Sequence, residues 1–346
     1  TCVNPLSVAT NSKAKRRLCI DLSRNYNKVS KSKKFKIMST REALQVIEKG
    51  DYMFAFDLKS AYLMIPVHPS FVRYLGFAVE EDDGSVGYYC YLMLPFGLND
   101  AARVLTRVMR SPVERWRKMG MEVFIHIDDG FVLSSSRAKS QQASEAVRSD
   151  LQNYGLLISE SKCSWGARRV LEWTGLEFDT VQFRVFIPEW KLVKALEAVQ
   201  VLLDRRAALV ATKELAGVAG LLGSFNLGMG EVTRFYTRAM MMKLVEVTER
   251  FGWSGKLLMG DRVVEELLYW KENMRACNGW RMREEDRVMS MLSADMFSDA
   301  GEHMMGGAQF KEGLLVQGSA YKEYFGEKER GMSSTYRELR AIEQGL

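Results

Sequence analysis

Three aspartates stand where a carboxylate is hard to explain as an ordinary surface residue. Asp57 closes the apolar run Tyr52-Met53-Phe54-Ala55-Phe56. Asp128 and Asp129 split a second apolar stretch, with Val123-Phe124-Ile125-His126-Ile127 before them and Gly130-Phe131-Val132-Leu133 after. Charged residues seldom interrupt such runs unless they turn the chain or hold a ligand. Carboxylates brought to one point repel each other and need cations, and hard oxygen donors favour magnesium. Two magnesium ions ~3.5–4 Å apart form the clamp used for in-line phosphoryl transfer. One would activate an attacking 3′-hydroxyl and the other would hold a triphosphate and its leaving pyrophosphate. Taken alone, Asp128-Asp129-Gly130 reads as a surface hairpin turn, since Asp-Gly is a favoured turn pair.

The elements around these residues decide between the two readings. Residues 52–58 predict a buried strand with Asp57 near its end. Residues 123–127 and 130–133 predict a tight hairpin with Asp128 and Asp129 at its tip. If the hairpin and the 52–58 strand lie side by side, the three carboxylates converge. Upstream, 17–22 reads as a strand, and Ser39 with Glu42 as a capping box opening a helix that runs to Gly50. Strands are expected near 74–80 and 86–93, and helices over 99–119 and 137–154. Further strands are expected near 156–158, 171–178 and 181–187. After Pro188 the period becomes helical to about residue 275, with interruptions at Gly217–Gly230 and Gly252–Gly255. That change predicts a separate helical domain. Strand signals return from Val288, and a last helix begins near Ser333.

Bulk properties fit this division. The 346 residues suit two or three domains, and 47% hydrophobic with 27% charged residues is a globular balance. No stretch approaches the ~18–20 apolar residues that span a bilayer, so no membrane partner is expected. Five scattered cysteines and three histidines, without a CxxC pair, argue against a structural zinc or a disulfide framework, and reduced thiols point to an intracellular protein, cytoplasmic or nuclear. The opening Thr1-Cys2-Val3-Asn4-Pro5 and the end inside a helical pattern suggest a piece of a longer polyprotein. Of the net +6, residues 1–36 carry ten basic residues and only Asp21, or +9, while the remainder is −3. A basic lobe on a nearly neutral body suits a polyanion.

With these residues in view, positions 15–187 resemble the reverse transcriptase family, in the family's motif order. "RRLCIDLSRNYN" at 16–27 is similar to the strand that meets the incoming triphosphate, with Arg17 as its triphosphate-binding residue. "FDLKSAY" at 56–62 resembles the first metal motif, which implies Asp57 and the backbone carbonyl of Leu58 as ligands and Tyr62 as a steric gate against a ribose 2′-hydroxyl. "LPFGLNDAARVLTR" at 94–107 resembles the nucleotide-and-template motif, with Phe96 against the nucleotide and Gly97 allowing close backbone approach. "HIDDGF" at 126–131 resembles the motif with the catalytic Asp128 and Asp129. "GLLISESKC" at 155–163 would supply Lys162 to the leaving pyrophosphate. "WTGLEFD" at 173–179 resembles the primer grip, with Trp173, Thr174 and Gly175 at its core. Three positions depart from the pattern: His126 stands for a usual Tyr, Ala102 for a Pro and Leu105 for a Phe. None is a metal ligand.

The resemblance implies an α+β right-hand polymerase fold of fingers, palm and thumb. Fingers and palm would occupy 1–187 and a helical thumb and connection 188–286. Residues 287–346 would begin a ribonuclease H domain, where "FSDAGEHMMGGAQF" offers Asp299 and "YRELRAIEQG" offers Glu338 as metal ligands. That domain needs further carboxylates downstream, so this chain is expected to lack a complete ribonuclease H site. "TKELAGVAGLLGSFN" at 212–226 is similar to the stretch that follows the polymerase in DIRS-type tyrosine-recombinase retroelements. The implied cofactor is Mg2+, two ions, with Mn2+ as an alternative. The implied partners are an RNA template, a DNA primer, an RNA–DNA hybrid and dNTPs, together with other polyprotein domains or a second subunit. Two other readings use the same residues. An RNA-templated RNA polymerase also pairs aspartates in a palm, but Tyr62 argues against a 2′-hydroxyl. A non-catalytic nucleic-acid-binding relic is disfavoured by the intact aspartates.

Overall fold

The computed structural model describes residues 2–10, 16–31, 33–282, 295–311, 314–315 and 319–345. The chain divides into two compact units, Thr1–Arg283 and Glu284–Leu346. The expected boundary at 286/287 falls outside the described residues.

The first unit is organised around a four-stranded antiparallel sheet. Strands β1 (Leu6–Thr10) and β2 (Arg16–Ile20) form a separate ribbon ahead of it. Helices α1 (Tyr26–Val29) and α2 (Thr40–Val46) lead into β3 (Tyr52–Asp57). The Ser39–Glu42 capping box opens α2 as expected; the helix stops at Val46 rather than Gly50. Helix α3 (Pro69–Val72) and the hairpin β4 (Gly76–Glu80) and β5 (Val86–Cys90) follow, then α4 (Ala101–Lys118). The sheet is completed by β6 (Glu122–His126), β7 (Asp129–Ser134) and, after α5 (Arg137–Asn153), β8 (Ser164–Arg168). Its order is β6-β7-β3-β8, so β3 is interior.

Side chains alternate across a strand, and here the alternation feeds two cores. Phe54 and Phe56 of β3, Val123 and Ile125 of β6 and Val132 of β7 pack beneath α4 and α5 with Leu105, Met109, Trp116 and Val147. Met53, Ala55, Phe124, Phe131 and Leu133 face the other way, toward Trp173 and Phe178. A strand covered on both faces needs a continuous apolar run, which is why 52–56 carries no polar alternation.

Beyond the sheet, β9 (Val170–Trp173), β10 (Leu176–Asp179) and β11 (Arg184–Phe186) join a later short strand at Trp280–Arg281. The single strand expected over 171–178 is thus a hairpin, turned at Thr174-Gly175. The strand expected at 156–158 reduces to one bridge between Ile158 and Leu58. Strand β8 has no alternation in Ser-Trp-Gly-Ala-Arg and gave no sequence signal.

Helices α6 (Glu189–Asp204), α7 (Thr212–Gly223), α8 (Asn226–Met229), α9 (Val232–Phe235), α10 (Arg238–Phe251) and α11 (Asp261–Asn273) make up the helical part. It was expected to stand apart. Instead Leu192, Val199, Leu215, Leu222, Leu267 and Trp270 share one core with Met53, Phe131 and Trp173, within one compact unit. The interruption expected from Gly217 is also absent, since α7 runs through Gly217 and Gly220. A glycine inside a helix costs ~1 kcal/mol, and burial of Leu215, Val218, Ala219 and Leu222 offsets it. The chain breaks at Gly230, whose φ is +69° and whose absent Cβ makes room for the Trp280 ring. No helix among the described residues is long and apolar enough to cross a membrane.

The second unit pairs β12 (Asp295–Ala300) with β13 (Met304–Lys311), which also pairs with Leu314–Leu315 and Tyr321–Tyr324. Helix Ser334–Gly345 lies on β12 and β13, over a small core of Met305, Phe325 and Ala341.

Candidate active site

Register brings the three aspartates together. Asp57 pairs with Asp129 across β3 and β7, and His126 pairs with Asp129 across β6 and β7. This leaves Ile127-Asp128 as a two-residue turn. Ile127 has φ +62°, a left-handed conformation that a β-branched residue resists. The Asp128 carbonyl accepts from the Leu58 backbone N–H at 3.0 Å, which ties the turn to the end of β3. Gly130 lies against the Phe56 ring, and any Cβ there would strike it. The close approach of the two strands therefore depends on glycine.

The electrostatics follow from this crowding. Asp57 is buried, and it shares a hydrogen bond with Asp129. Burial raises the Asp128 carboxyl above its ordinary value, and the Asp57 charge adds to the rise. Burial, the hydrogen bond with Asp57 and the charges of Asp128 and Asp57 raise Asp129 to about 7. Lys162 supplies the counter-charge, with Nζ 2.5 Å from Asp57 Oδ2. Burial pulls the Lys162 ammonium down, but its hydrogen bond and charge contact with Asp57 reverse this, and its pKa is raised.

Among the described residues no set of three or more His, Cys, Asp or Glu side chains is arranged as a ready metal cage. The donor chemistry nevertheless fits a hard divalent cation. Three carboxylates gather at one partly buried point, and burial together with the neighbouring charges raises the Asp128 and Asp129 carboxyls, a condition a bound cation would relieve. Lys162 occupies one Asp57 oxygen in the present arrangement.

Beside the carboxylates lies a cavity of about 470 Å³, reached by Arg17, Asp57, Tyr62, Phe96, Asp128 and Lys162. The Arg17 guanidinium lies over the Phe96 ring at 5.7 Å, and the Phe96 and Tyr62 rings meet edge-to-face at 5.3 Å. Burial raises the Tyr62 hydroxyl pKa, with a further push from Asp128. Leu58 lines the same cavity through a residue whose side chain is buried. Gly97 has φ +107°, and its close approach is to the Ile20 carbonyl of β2. Together with the Ile20 N–H bond to the Phe96 carbonyl at 2.9 Å, this contact fixes β2, and so Arg17, beside Phe96.

The Trp173-Thr174-Gly175 segment is joined to this centre by stacking. The Trp173 ring lies 4.8 Å from Phe131, two residues after Asp129. Thr174 and Gly175 have φ +49° and +70°. The Thr174 hydroxyl contacts the Thr40 hydroxyl at 3.1 Å, and Lys191 Nζ donates to the Gly175 carbonyl at 2.7 Å. Thr40 and Lys191 drew no attention in the sequence, because both partnerships are tertiary. His126 Nδ1 lies 3.1 Å from the Met38 carbonyl. A carbonyl can only accept, so that nitrogen carries the proton.

In the second unit Asp299 sits on β12 opposite Gly306, and Glu338 on the helix that packs against that strand. Both are exposed.

A palm-like sheet with Asp128 in a hairpin turn, Asp129 at the start of the following strand and Asp57 opposite it, beside a cationic and aromatic cavity, is the arrangement of a right-hand nucleic-acid polymerase. The family described as "Reverse transcriptase (RNA-dependent DNA polymerase)" matches residues 6–178, half of the chain, and the chain belongs to that family. It is 23% identical over 141 residues to the Gag-Pol polyprotein of bovine immunodeficiency virus, which is 40% of this chain and 9% of that protein. It is likewise 23% identical over 139 residues to the enzymatic polyprotein of figwort mosaic virus, covering 40% and 20%. Against the Pol polyprotein of Drosophila melanogaster transposon 297 the identity is 23% over 151 residues, covering 44% and 14%. The matched region is thus a small part of each of these relatives. In fold, the chain is similar to a foamy viral protease–reverse transcriptase in complex with double-stranded DNA, with TM-score 0.67, 14% identity, and coverage of 99% of this chain and 55% of that one. A second foamy viral structure, in complex with an RNA/DNA hybrid, gives TM-score 0.63 at 14% identity, covering 99% and 42%. The α+β right-hand fold expected from the motifs is the fold observed.

Proposed function

We propose that this chain is the DNA polymerase of a retroelement, copying RNA or DNA templates from a primer. The observation that carries the reading is that Asp57, paired across the sheet with Asp129, lines one cavity together with Asp128, Arg17, Tyr62 and Phe96. Asp57, the Leu58 carbonyl, Asp128 and Asp129 would hold divalent cations, two Mg2+ or alternatively Mn2+. Bound cations would supply the charge that lets a 3′-hydroxyl lose its proton and a pyrophosphate leave. Arg17 binds the triphosphate, Phe96 packs on the nucleotide, and the Tyr62 ring excludes a 2′-hydroxyl. Lys162, released from Asp57, gives its proton or charge to the leaving pyrophosphate. Trp173, Thr174 and Gly175 seat the primer end.

On this reading residues 1–187 are fingers and palm, 188–286 thumb and connection, and 287–346 the start of a ribonuclease H domain with Asp299 and Glu338 as ligands. The strand hairpin and helix of the second unit support that start. The motif at 212–226 supports a DIRS-type element. The partners are an RNA template, a DNA primer, their hybrid and dNTPs.

Primer extension on an RNA template tests the proposal. Extension with dNTPs is expected, with a preference over ribonucleotides. Asp128→Asn should lower the rate at least ~100-fold, as loss of charge at the reacting centre does. Undiminished extension by Asp128→Asn removes the assignment, and a ribonucleotide preference replaces it with an RNA polymerase.

A further inference from the structure

A second cavity, of about 710 Å³, lies away from the nucleotide cavity, between α2, α4 and β6. Its walls include Lys36, Arg110 and Arg117, set against Glu42 and Glu122. Arg110 and Arg117 belong to a longer row. Arg103, Arg107, Arg110, Glu114 and Arg117 are spaced four, three, four and three residues apart on α4, which places them on one face of a helix. From Arg103 to Arg117 this row extends about 21 Å at 1.5 Å per residue. That is the rise of about six nucleotides of a strand.

Two of these cations are unspent. Arg103 is paired with Asp100 at 2.9 Å, and Arg117 donates to the Val123 carbonyl at 2.8 Å. Lys36 is paired with Glu42. Glu114, four residues from Arg110, pairs with Lys118 at 2.9 Å instead. Among the described residues Arg107 and Arg110 have neither an ion pair nor a hydrogen-bond partner, and both are exposed. Lys33 adds a further charge near Asp100, at the start of the row. The row also begins at a telling place. Helix α4 starts four residues after Gly97, and Phe96 lines the nucleotide cavity. On the far side, β6 lines the second cavity through Phe124 and Ile125 and leads straight into the Asp128 turn.

We propose that this face of α4 is a track for a nucleic-acid phosphodiester backbone, with Arg107 and Arg110 as its contacting cations. The proposal rests on the polymerase reading for the identity of the strand, and it adds a surface to that reading. Arginine suits the role because its planar fork binds phosphate bidentately. The contacts carry no base information, so binding through them is independent of sequence.

The test is the salt dependence of binding to a labelled primer–template, read by fluorescence anisotropy in Ca2+ so that no extension occurs. Each neutralised duplex phosphate contributes about 0.9 to the slope of log K against log salt, and each single-strand phosphate about 0.7. Arg107→Ala with Arg110→Ala is expected to reduce the slope by about 1.4–1.8 and to weaken binding at least tenfold at moderate salt. Arg137→Ala with Lys139→Ala removes the same charge from exposed positions on α5 and is expected to leave the slope as it is. A deficit confined to templates with a 5′ overhang assigns the track to the single-stranded template, and an equal deficit on blunt duplex assigns it to the duplex. An unchanged slope in the α4 variant overturns the proposal, as does an equal loss in the α5 variant. Failure of the wild-type chain to extend a primer while the slope difference persists would sink the polymerase reading alone.

Discussion

Lys162 Nζ lies 2.5 Å from Oδ2 of Asp57, from a position 105 residues further along the chain. On the proposed reading the ammonium holds an oxygen that a divalent cation would use. The two could not share it at full strength, so cation binding and the ion pair would compete.

We predict that Lys162→Met gives a protein that is slightly less stable without metal and gains more from magnesium. Lys162 is 57% exposed, so the pair is screened and its loss should cost no more than ~1 kcal/mol. In thermal melts that is a fall of about 2–4 °C in EDTA. Adding magnesium should then raise the melting temperature more in the variant than in wild type, because binding to the native state stabilises by mass action. Identical magnesium responses in the two proteins would show that Lys162 does not compete for Asp57.

Asp129 gives the pH dependence. Its carboxyl titrates at about 7 in the folded chain against an ordinary 3.8. Between those values the native state keeps a proton that the unfolded chain has released. The stabilisation is therefore complete below about pH 4 and is lost as pH rises toward about 7. Metal-free wild type should lose stability relative to Asp129→Asn across that window. Magnesium uptake below pH 7 should release a proton. Paired melts in EDTA from about pH 4 to 8 check the first point. A wild-type-minus-variant difference that stays constant over this range would remove Asp129 as the titrating group.

What the sequence revealed, and what it hid, follows one physical line. Asp57, Asp128 and Asp129 were legible because a charge inside an apolar run is locally anomalous. Helix α2 was legible because Ser39 and Glu42 cap it within four residues. Strand β8 was hidden, since its place against β3 is set by the sheet rather than by any alternation in Ser164–Arg168. The helical part after Pro188 looked separate because its period changes there. Nothing local reports that Leu192 and Leu267 share a core with Phe131. Ile127 is similar: no turn signal marks a β-branched residue at φ +62°, and only the tie from Leu58 to Asp128 explains it. The Arg107 and Arg110 pair could have been found from helical spacing alone, but not their lack of partners.

Thr174 carries the last prediction. A β-branched residue at φ +49° is held against a preference of about 1–2 kcal/mol. Strain of this kind persists where the surroundings over-determine it. Here they do so from two sides, through Thr40 and through Lys191, whose ammonium is pulled below its ordinary pKa by burial as it donates to Gly175. Thr174→Gly relieves the strain but gives up the Thr40 contact, worth about 0.5–1.5 kcal/mol, so melting should change little. Lys191→Met keeps the packing, removes the donor to the Gly175 carbonyl, and should destabilise by about 1 kcal/mol. If the turn seats a primer end, Lys191→Met should also lower kcat for extension several-fold while the KM for dNTP stays put, because a displaced 3′-hydroxyl reacts slowly without altering nucleotide contacts. A merely structural lysine would instead reduce the active fraction, and cooling well below the melting transition would restore the full rate. Persistence of the kcat deficit at low temperature therefore separates positioning from stability, and its disappearance would reduce Lys191 to a packing residue.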